Sequence, residues 1–336
     1  MDCWLILLSL QDALYESASE YYSNHSKRVR RKRNRHVNAS NPPPAFATAN
    51  PRPQPLRPIG WSVRYDYKLA TFAEFRSEEE VARKHYEDCW SQLLDMFSST
   101  GVLPPRTKRW AEAKVLADCI AVKIVKLYLY SGEHARALSH LNRHVTRFGE
   151  LSRAWGIGED MFEYWSWQAR QQRVLAELLE AGIRAGFKLP SHLPSEPVNP
   201  ALTAQLAVVG GHGRGTSVDL SAVFGLAPSS ALQHPGFYYF AAAQFTQRRY
   251  TEFLRALDLE ATAPSALSAS PGFMNEKKVD HQALILELHT KAYDLFKKYS
   301  PSSLRLTLYV AYHIGLAYHA AAKYDTAAKC VIMQQL

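Results

Sequence analysis

The chain has 336 residues, 47% of them hydrophobic and 12% aromatic, so it is long and apolar enough to bury a sizeable core. Charged residues make up 21%, which excludes disorder over most of the chain on composition. The net charge of +9 comes from 40 cations against 31 anions, and seven of those cations lie between Lys27 and Arg35; without them about +2 remains. A nucleic-acid-binding surface over the whole fold is therefore not indicated.

The four cysteines are widely spaced and form no Cys-x-x-Cys pair: Cys3, Cys89, Cys119 and Cys330. Three of them fall in helical patterns, where a free cysteine usually serves as a small core residue. This usage favours a reducing compartment. No stretch of about 20 apolar residues predicts a transmembrane helix. The apolar start lacks a basic region and a small-residue cleavage site, so we expect no signal peptide and a cytosolic or peripherally membrane-attached protein.

Residues 1–36 are predicted to form an N-terminal helix whose apolar first half gives way to a basic run. This run is open to three interpretations: a solvated helix end, a contact for anionic lipid or an acidic partner, or a nucleic-acid arm. No base-stacking motif or helix-turn-helix pattern supports the last, so we expect no nucleic acid. The candidate contact residues are Lys27, Arg28, Arg30, Arg31, Lys32, Arg33 and Arg35.

Residues 37–60 are predicted to be an extended linker, because they contain seven prolines and no apolar periodicity. The remaining residues, 61–336, are predicted to form one domain. Its first helical hairpin covers 61–97. A flexible insertion is expected at 187–233 and a shorter loop at 261–273, where proline, glycine, alanine and serine replace the periodic pattern.

Residues 110–186 are predicted to form three consecutive helices. The first has apolar residues at i, i+4, i+8 and i+11, one face of a helix. A second apolar side suggests that this helix is covered from more than one direction. Its main face consists of Leu116, Ile120, Ile124 and Leu127, and the second side consists of Val115, Cys119 and Val122.

An aromatic segment covers the turn before the third helix and the start of that helix: Trp155 in the turn, then Phe162, Trp165 and Trp167. Aromatic residues at helical spacing usually belong to a core. Trp165 and Trp167 cannot share a face, because residues two apart on a helix differ by roughly 200°. We expect one of them to face another part of the protein or a partner, where Trp is over-represented. These four residues are candidates for partner binding.

The chain offers no motif for catalysis, and we expect no cofactor, metal or catalytic residue. His140 and His144 are four residues apart on a predicted helix, a spacing that can bind a metal. No carboxylate or cysteine joins them at ligand spacing, so a solvated or partly packed pair is the alternative interpretation. The motifs of metalloproteases, nucleophile elbows and dinucleotide-binding folds do not occur.

The C-terminal part contains a partial tetratricopeptide signature. Ile314, Gly315 and Tyr318 match its Leu-Gly-x-x-Tyr core, followed by Tyr324 and Ala327 at the expected spacing. Helical hairpins of this kind bury their apolar faces by stacking. We predict an all-α fold, an α-solenoid of stacked, tetratricopeptide-like hairpins interrupted by two loops. Because the chain stops within a helical pattern, we expect it to be truncated at the C-terminus.

Three runs resemble the foie gras domain of the trafficking protein particle (TRAPP) complex subunit 11 family. They are CIAVKIVKLYLY, ALSHLNRHVTRFGELSRAWGIGEDMFEYWSWQARQ and QHPGFYY, and the resemblance extends from about Val63 onward. It implies a non-enzymatic scaffold subunit of a TRAPP-type tethering complex in endoplasmic reticulum–Golgi transport, with a related role in autophagy. The implied partners are other subunits of such a complex and, indirectly, a Rab-type GTPase.

The same resemblance implies a cytoplasmic location, peripheral to Golgi and endoplasmic reticulum–Golgi intermediate membranes. An alternative function is a soluble tetratricopeptide-like adaptor that binds peptide tails of a partner. Such an adaptor requires Lys, Arg and Asn side chains on successive helices of its groove, and the sequence shows no such cluster.

Overall fold

The computed structural model describes residues 2–38, 58–99, 101–105, 107–188, 232–262, 270–299 and 304–332. Within these ranges the chain forms eleven helices and no strand, which confirms the predicted all-α fold. It divides into two compact units, Met1–Leu151 and Ser152–Leu336.

The first four helices of the first unit pack each against the next. Contacts join α1 to α2, α2 to α3 and α3 to α4, so α2 and α3 form the hairpin predicted at 61–97. The helices are α1 (Asp2–Asn38), α2 (Pro58–Phe75), α3 (Glu79–Phe97), α4 (Lys108–Tyr130) and α5 (His134–Ala154), whose last three residues belong to the second unit.

The second unit is built in the same way. Its longest helix, α7, packs against both α6 and α9, and α10 packs against α9 and α11. The helices are α6 (Phe162–Arg184), α7 (Pro235–Thr262), α8 (Pro271–Glu276), α9 (His281–Tyr299), α10 (Leu304–Ala320) and α11 (Tyr324–Ile332).

Several predicted boundaries differ from the structure by a few residues. The N-terminal helix continues to Asn38, and α2 starts at Pro58, where proline is tolerated because the first helical N–H groups have no intrahelical acceptor. The short helix α8 starts inside the loop predicted at 261–273. Most of the predicted linker (39–57) and of the predicted insertion (189–231) lies outside the described residues.

Helix α4 carries the predicted core face of the first unit. Thr107 caps its first turn, accepting a hydrogen bond from the Trp110 backbone N–H at 3.2 Å. Ile120 and Ile124 are completely buried, which confirms the assigned face. Its end is set by Gly132, whose φ of 75° is the left-handed conformation that glycine adopts at little cost.

The second apolar side predicted for α4 is wrong. Val115 is 53% exposed and Cys119 is exposed, because the described helices of this unit pack against the other side of α4. Cys89, by contrast, is buried as predicted, and its Sγ lies 3.3 Å from the Val63 carbonyl oxygen. The side chains of Cys3 and Cys330 lie outside the described residues.

Helix α7 lies very close to α9 at Gly236. A Cβ atom at this position would lie 3.1 Å from the Phe296 ring and 3.2 Å from the backbone oxygen of Ala292. Both distances are tighter than ordinary van der Waals contact. The absence of a side chain at Gly236 therefore sets the spacing of these two helices.

Candidate interaction surfaces

Helix α1 packs against α2 along one stripe of residues spaced three or four apart. The Tyr22 ring lies 5.7 Å from the Phe72 ring, and His25 contacts the same ring at 6.1 Å. Further along the stripe, Arg33 forms an ion pair with Asp66 of α2 at 2.5 Å. This stripe fixes which side of the basic run faces the protein.

The remaining cations of the run form a solvent-facing surface, which we call the basic face. None of them pairs with a carboxylate in the part of the chain that the structure describes. Arg33 does not belong to this surface, because it is half-buried against Asp66. The basic face consists of the six exposed residues Lys27, Arg28, Arg30, Arg31, Lys32 and Arg35.

Asp66 is the buried anion that holds the basic end of α1. Burial by itself raises the pKa of this carboxyl, but hydrogen bonds with His85 and Gln92 and the charge of Arg33 outweigh burial and lower the pKa below 3.8. The carboxylate accepts from Gln92 at 3.0 Å and lies 3.2 Å from His85 Nδ1. Asp66 is therefore ionised at neutral pH and joins α1, α2 and α3.

The aromatic segment is buried inside the second unit. Trp165 is 9% exposed, and its indole N–H donates to the Glu159 backbone oxygen at 2.7 Å. The Arg248 guanidinium lies over the same ring at 4.8 Å, and Phe245 contacts it at 5.6 Å. Trp165 thus packs against α7.

The other candidate aromatic residues divide into buried and half-buried. Phe162 is 3% exposed and lies edge-on to Phe253 at 5.5 Å, and Trp167 is 6% exposed. Trp155 is half-buried. Both Trp165 and Trp167 therefore pack against other parts of this chain. Binding of a partner by the segment stays a prediction, and Trp155 is the candidate whose ring is partly accessible.

The two histidines of α5 have separate roles in the packing of α3 against α5. His144 is completely buried; its Nδ1 accepts from the Trp90 indole N–H at 2.9 Å, and its Nε2 lies 2.8 Å from Asp118. Because indole can only donate, Nε2 carries the proton of the neutral ring and donates to Asp118. Trp90 also contacts the ring of His140, with 5.1 Å between centroids.

This arrangement joins three helices and uses both nitrogens of His144. No group of three or more His, Cys, Asp or Glu among the described residues is placed to hold a metal. The sequence did not identify Trp90 and Asp118 as the partners of His144. The only signal was the i, i+4 spacing of the histidines, which places them on one helix face but does not identify what that face meets.

The described part of the chain contains no helix that is both long and apolar enough to span a membrane.

These observations define a class: an all-α protein of packed helical hairpins with a buried aromatic segment and a basic face on its first helix. Residues 109–336 match the model of Foie gras liver health family 1, and the chain belongs to that family. This confirms the resemblance found in the sequence.

The chain is also similar to proteins named trafficking protein particle complex subunit 11. It is 22% identical over 329 residues to those of Gallus gallus, Homo sapiens and Bos taurus. The alignments cover 96% of this chain and 26% of each relative, so the chain spans about a quarter of their length.

Proposed function

We propose that the chain acts as a non-enzymatic scaffold in a TRAPP-type tethering complex, in vesicle transport between the endoplasmic reticulum and the Golgi, with a related role in autophagy. The observation that carries this proposal is the alignment with subunit 11 proteins over 96% of the chain. The proposed partners are other subunits of such a complex and, indirectly, a Rab-type GTPase. The proposed location is cytoplasmic, peripheral to Golgi and intermediate membranes.

The architecture supports a role in assembly. Packed hairpins offer long surfaces for partner subunits. The basic face of α1 adds a contact of another kind, because six exposed cations on one helix favour anionic lipid head groups or an acidic partner. We propose that this face provides peripheral contact with an anionic membrane.

The test is co-purification from cells. The tagged chain is expressed and its stable partners are quantified by mass spectrometry. We expect subunits of the tethering complex among the enriched proteins. The folding control is a pair of variants on α4: Ile120→Asp, at a fully buried position, should lose these partners, whereas Val115→Asp, at a 53% exposed position, should keep them. Absence of the subunits, or equal recovery with Ile120→Asp, would contradict the proposal.

A further inference from the structure

A cleft of about 430 Å³ lies in the first unit, between α3, α4 and α5. Its volume falls within the range of small-ligand sites. All three helices contribute lining residues, so the packing of these helices forms the cleft. The lining consists of Glu87, Trp90 and Ser91 from α3, Tyr128 from α4, and Arg136, Ser139, His140 and Arg143 from α5.

Four hydrogen-bond donors face this cleft from opposite helices. Arg143 has no carboxylate partner among the described residues, and the exposed hydroxyls of Ser91 and Ser139 have no partner there either. Arg136 is 68% exposed and shares its charge with Glu133 at 2.5 Å. Arg143, Ser91 and Ser139 are therefore available to a ligand in the cleft, because no described residue pairs with them.

The one carboxylate among the described lining residues is already engaged. Glu87 accepts a hydrogen bond from the Tyr128 hydroxyl at 2.5 Å. The Arg83 guanidinium lies 4.9 Å from the centroid of the same Tyr128 ring. Glu87 keeps its negative charge, but the two lining arginines, Arg136 and Arg143, outnumber it, so the charge of the lining still favours an anion.

His140 forms part of the wall of the cleft and is 6% exposed. Its Nε2 is buried and has no hydrogen-bond partner among the described residues. Burial, with the nearby His144 and Arg143, lowers the pKa of His140 to about 3, so the ring is neutral at physiological pH. A buried polar atom without a partner is uncommon in native proteins and calls for an explanation.

We infer that this cleft binds a phosphate monoester, held by Arg136, Arg143, Ser91 and Ser139. Guanidinium groups pair well with phosphate, and hydroxyls donate to its remaining oxygens. A carboxylate has two oxygens and one negative charge, whereas a phosphate monoester has three terminal oxygens and up to two negative charges. Four donors on two helices therefore fit a phosphate monoester better than a carboxylate. The Trp90 and His140 rings, tilted 59° to each other with 5.1 Å between their centroids, provide an aromatic wall for the group that carries the phosphate. This site is independent of the proposed function.

The experiment measures binding of glycerol 3-phosphate by calorimetry and of phosphatidic acid vesicles by sedimentation, which separates a soluble ligand from a lipid head group. We expect saturable binding of at least one of the two. Arg143→Gln should weaken it at least tenfold. The matched control is Arg147→Gln, which removes the same charge one turn further along α5, from a residue that pairs with Glu150 at 3.3 Å. It should change binding less than twofold.

A second measurement uses the wild-type protein, so it does not depend on the folding of a variant. Saturating glycerol 3-phosphate should shift the NMR signals of the His140 ring and raise the pH at which it titrates, because a bound anion favours the protonated imidazole. Binding of either phosphate source with these responses supports the site. Absence of saturable binding, equal weakening by both arginine variants, or binding of acetate as tight as that of glycerol 3-phosphate would overturn it.

Discussion

Arg33 on α1 and Asp66 on α2 form an ion pair of 2.5 Å in which the aspartate side chain is 3% exposed and the arginine side chain 30% exposed. The pair distinguishes Arg33 from its neighbours in the basic run. It fixes the rotation of α1 about its axis, so that the six other cations face solvent.

Arg33→Ser should destabilise the first unit by about 1–3 kcal/mol, because Asp66 keeps its buried charge but loses its cationic partner. Hydrogen bonds with His85 and Gln92 remain and limit the loss. Arg30→Ser, a matched change at an exposed position of the same helix, should stay within about 0.5 kcal/mol of wild type. Urea unfolding of both variants tests this, and equal stability would contradict the assigned role of Arg33.

The basic face can be tested for membrane binding without disturbing this ion pair. Replacing Lys27, Arg28, Arg30 and Arg31 by serine should leave the melting temperature close to wild type, because all four are exposed. Binding to vesicles that contain phosphatidylserine should weaken by about 1 kcal/mol for each charge removed, and less at high salt. If binding at low salt is unchanged, the basic face is a solvated helix surface only.

Ile120→Asp should unfold the first unit. Ile120 is completely buried on α4, and an unpaired carboxylate there costs several kcal/mol. Val115→Asp introduces the same carboxylate five residues earlier, at a 53% exposed position, and should cost less than about 1 kcal/mol. Thermal melts followed by circular dichroism distinguish the two variants. A melting temperature of Ile120→Asp within a degree or two of wild type would show that the face is wrongly assigned.

The aromatic segment gives three further variants. Since Trp165 and Trp167 are both buried, alanine at either position should cost about 3–5 kcal/mol and lower the melting temperature. Trp155→Ala, at a half-buried position, should melt closer to wild type. If Trp155 meets a partner, this variant should elute apart from the complex in size-exclusion chromatography while keeping its helical content. A wild-type melt for Trp165→Ala would contradict its burial.

Glu74 makes the stability of the first unit depend on pH. Burial alone raises its pKa, but hydrogen bonds from Lys126, Lys123 and Tyr86 outweigh burial and lower it from 4.5 to about 2. A lowered pKa stabilises the folded state above pH 4.5, and this contribution is lost as the pH falls towards 2. The lysine side chains are 37% and 46% exposed, so solvent reduces the contribution to about 1–2 kcal/mol.

We therefore expect Glu74→Gln to be less stable than wild type at pH 7 and the difference to shrink between pH 4.5 and 2. Glu112→Gln is the control, because Glu112 is 66% exposed and its pair with Lys108 is a surface contact of 3.8 Å. Denaturant unfolding across this pH range provides the measurement. A difference that stays constant with pH would show that Glu74 does not carry the effect.

The periodic part of the fold was predictable from the sequence, and the contacts between distant helices were not. Ile120 and Ile124 repeat at helical spacing, so their shared face follows from local geometry alone. Cys119 has the same helical spacing and was predicted to be in the core, but it is exposed. Its exposure depends on which other helices cover α4, and the sequence of α4 alone does not encode those neighbours.

The same limit applies to the polar contacts. Trp90 and His144, which hydrogen-bond at 2.9 Å, are 54 residues apart in the chain. Arg33 lies within a run of Lys and Arg residues of the same charge, and its partner Asp66 is 33 residues further on in the chain. A signal for Arg33 was present, because it continues the helical spacing of Tyr22 and Val29 toward α2.

The close approach at Gly236 has a consequence for engineering this chain. Replacing glycine by alanine in a helix commonly stabilises a protein by about 0.4–1 kcal/mol, because the unfolded chain loses conformational freedom. Gly272 is suited to this change, since a Cβ there meets nothing within 4 Å. At Gly236 the added methyl group would press on Phe296 and on the backbone of α9. A thermostabilised version of the chain should accept alanine at position 272 and keep glycine at position 236.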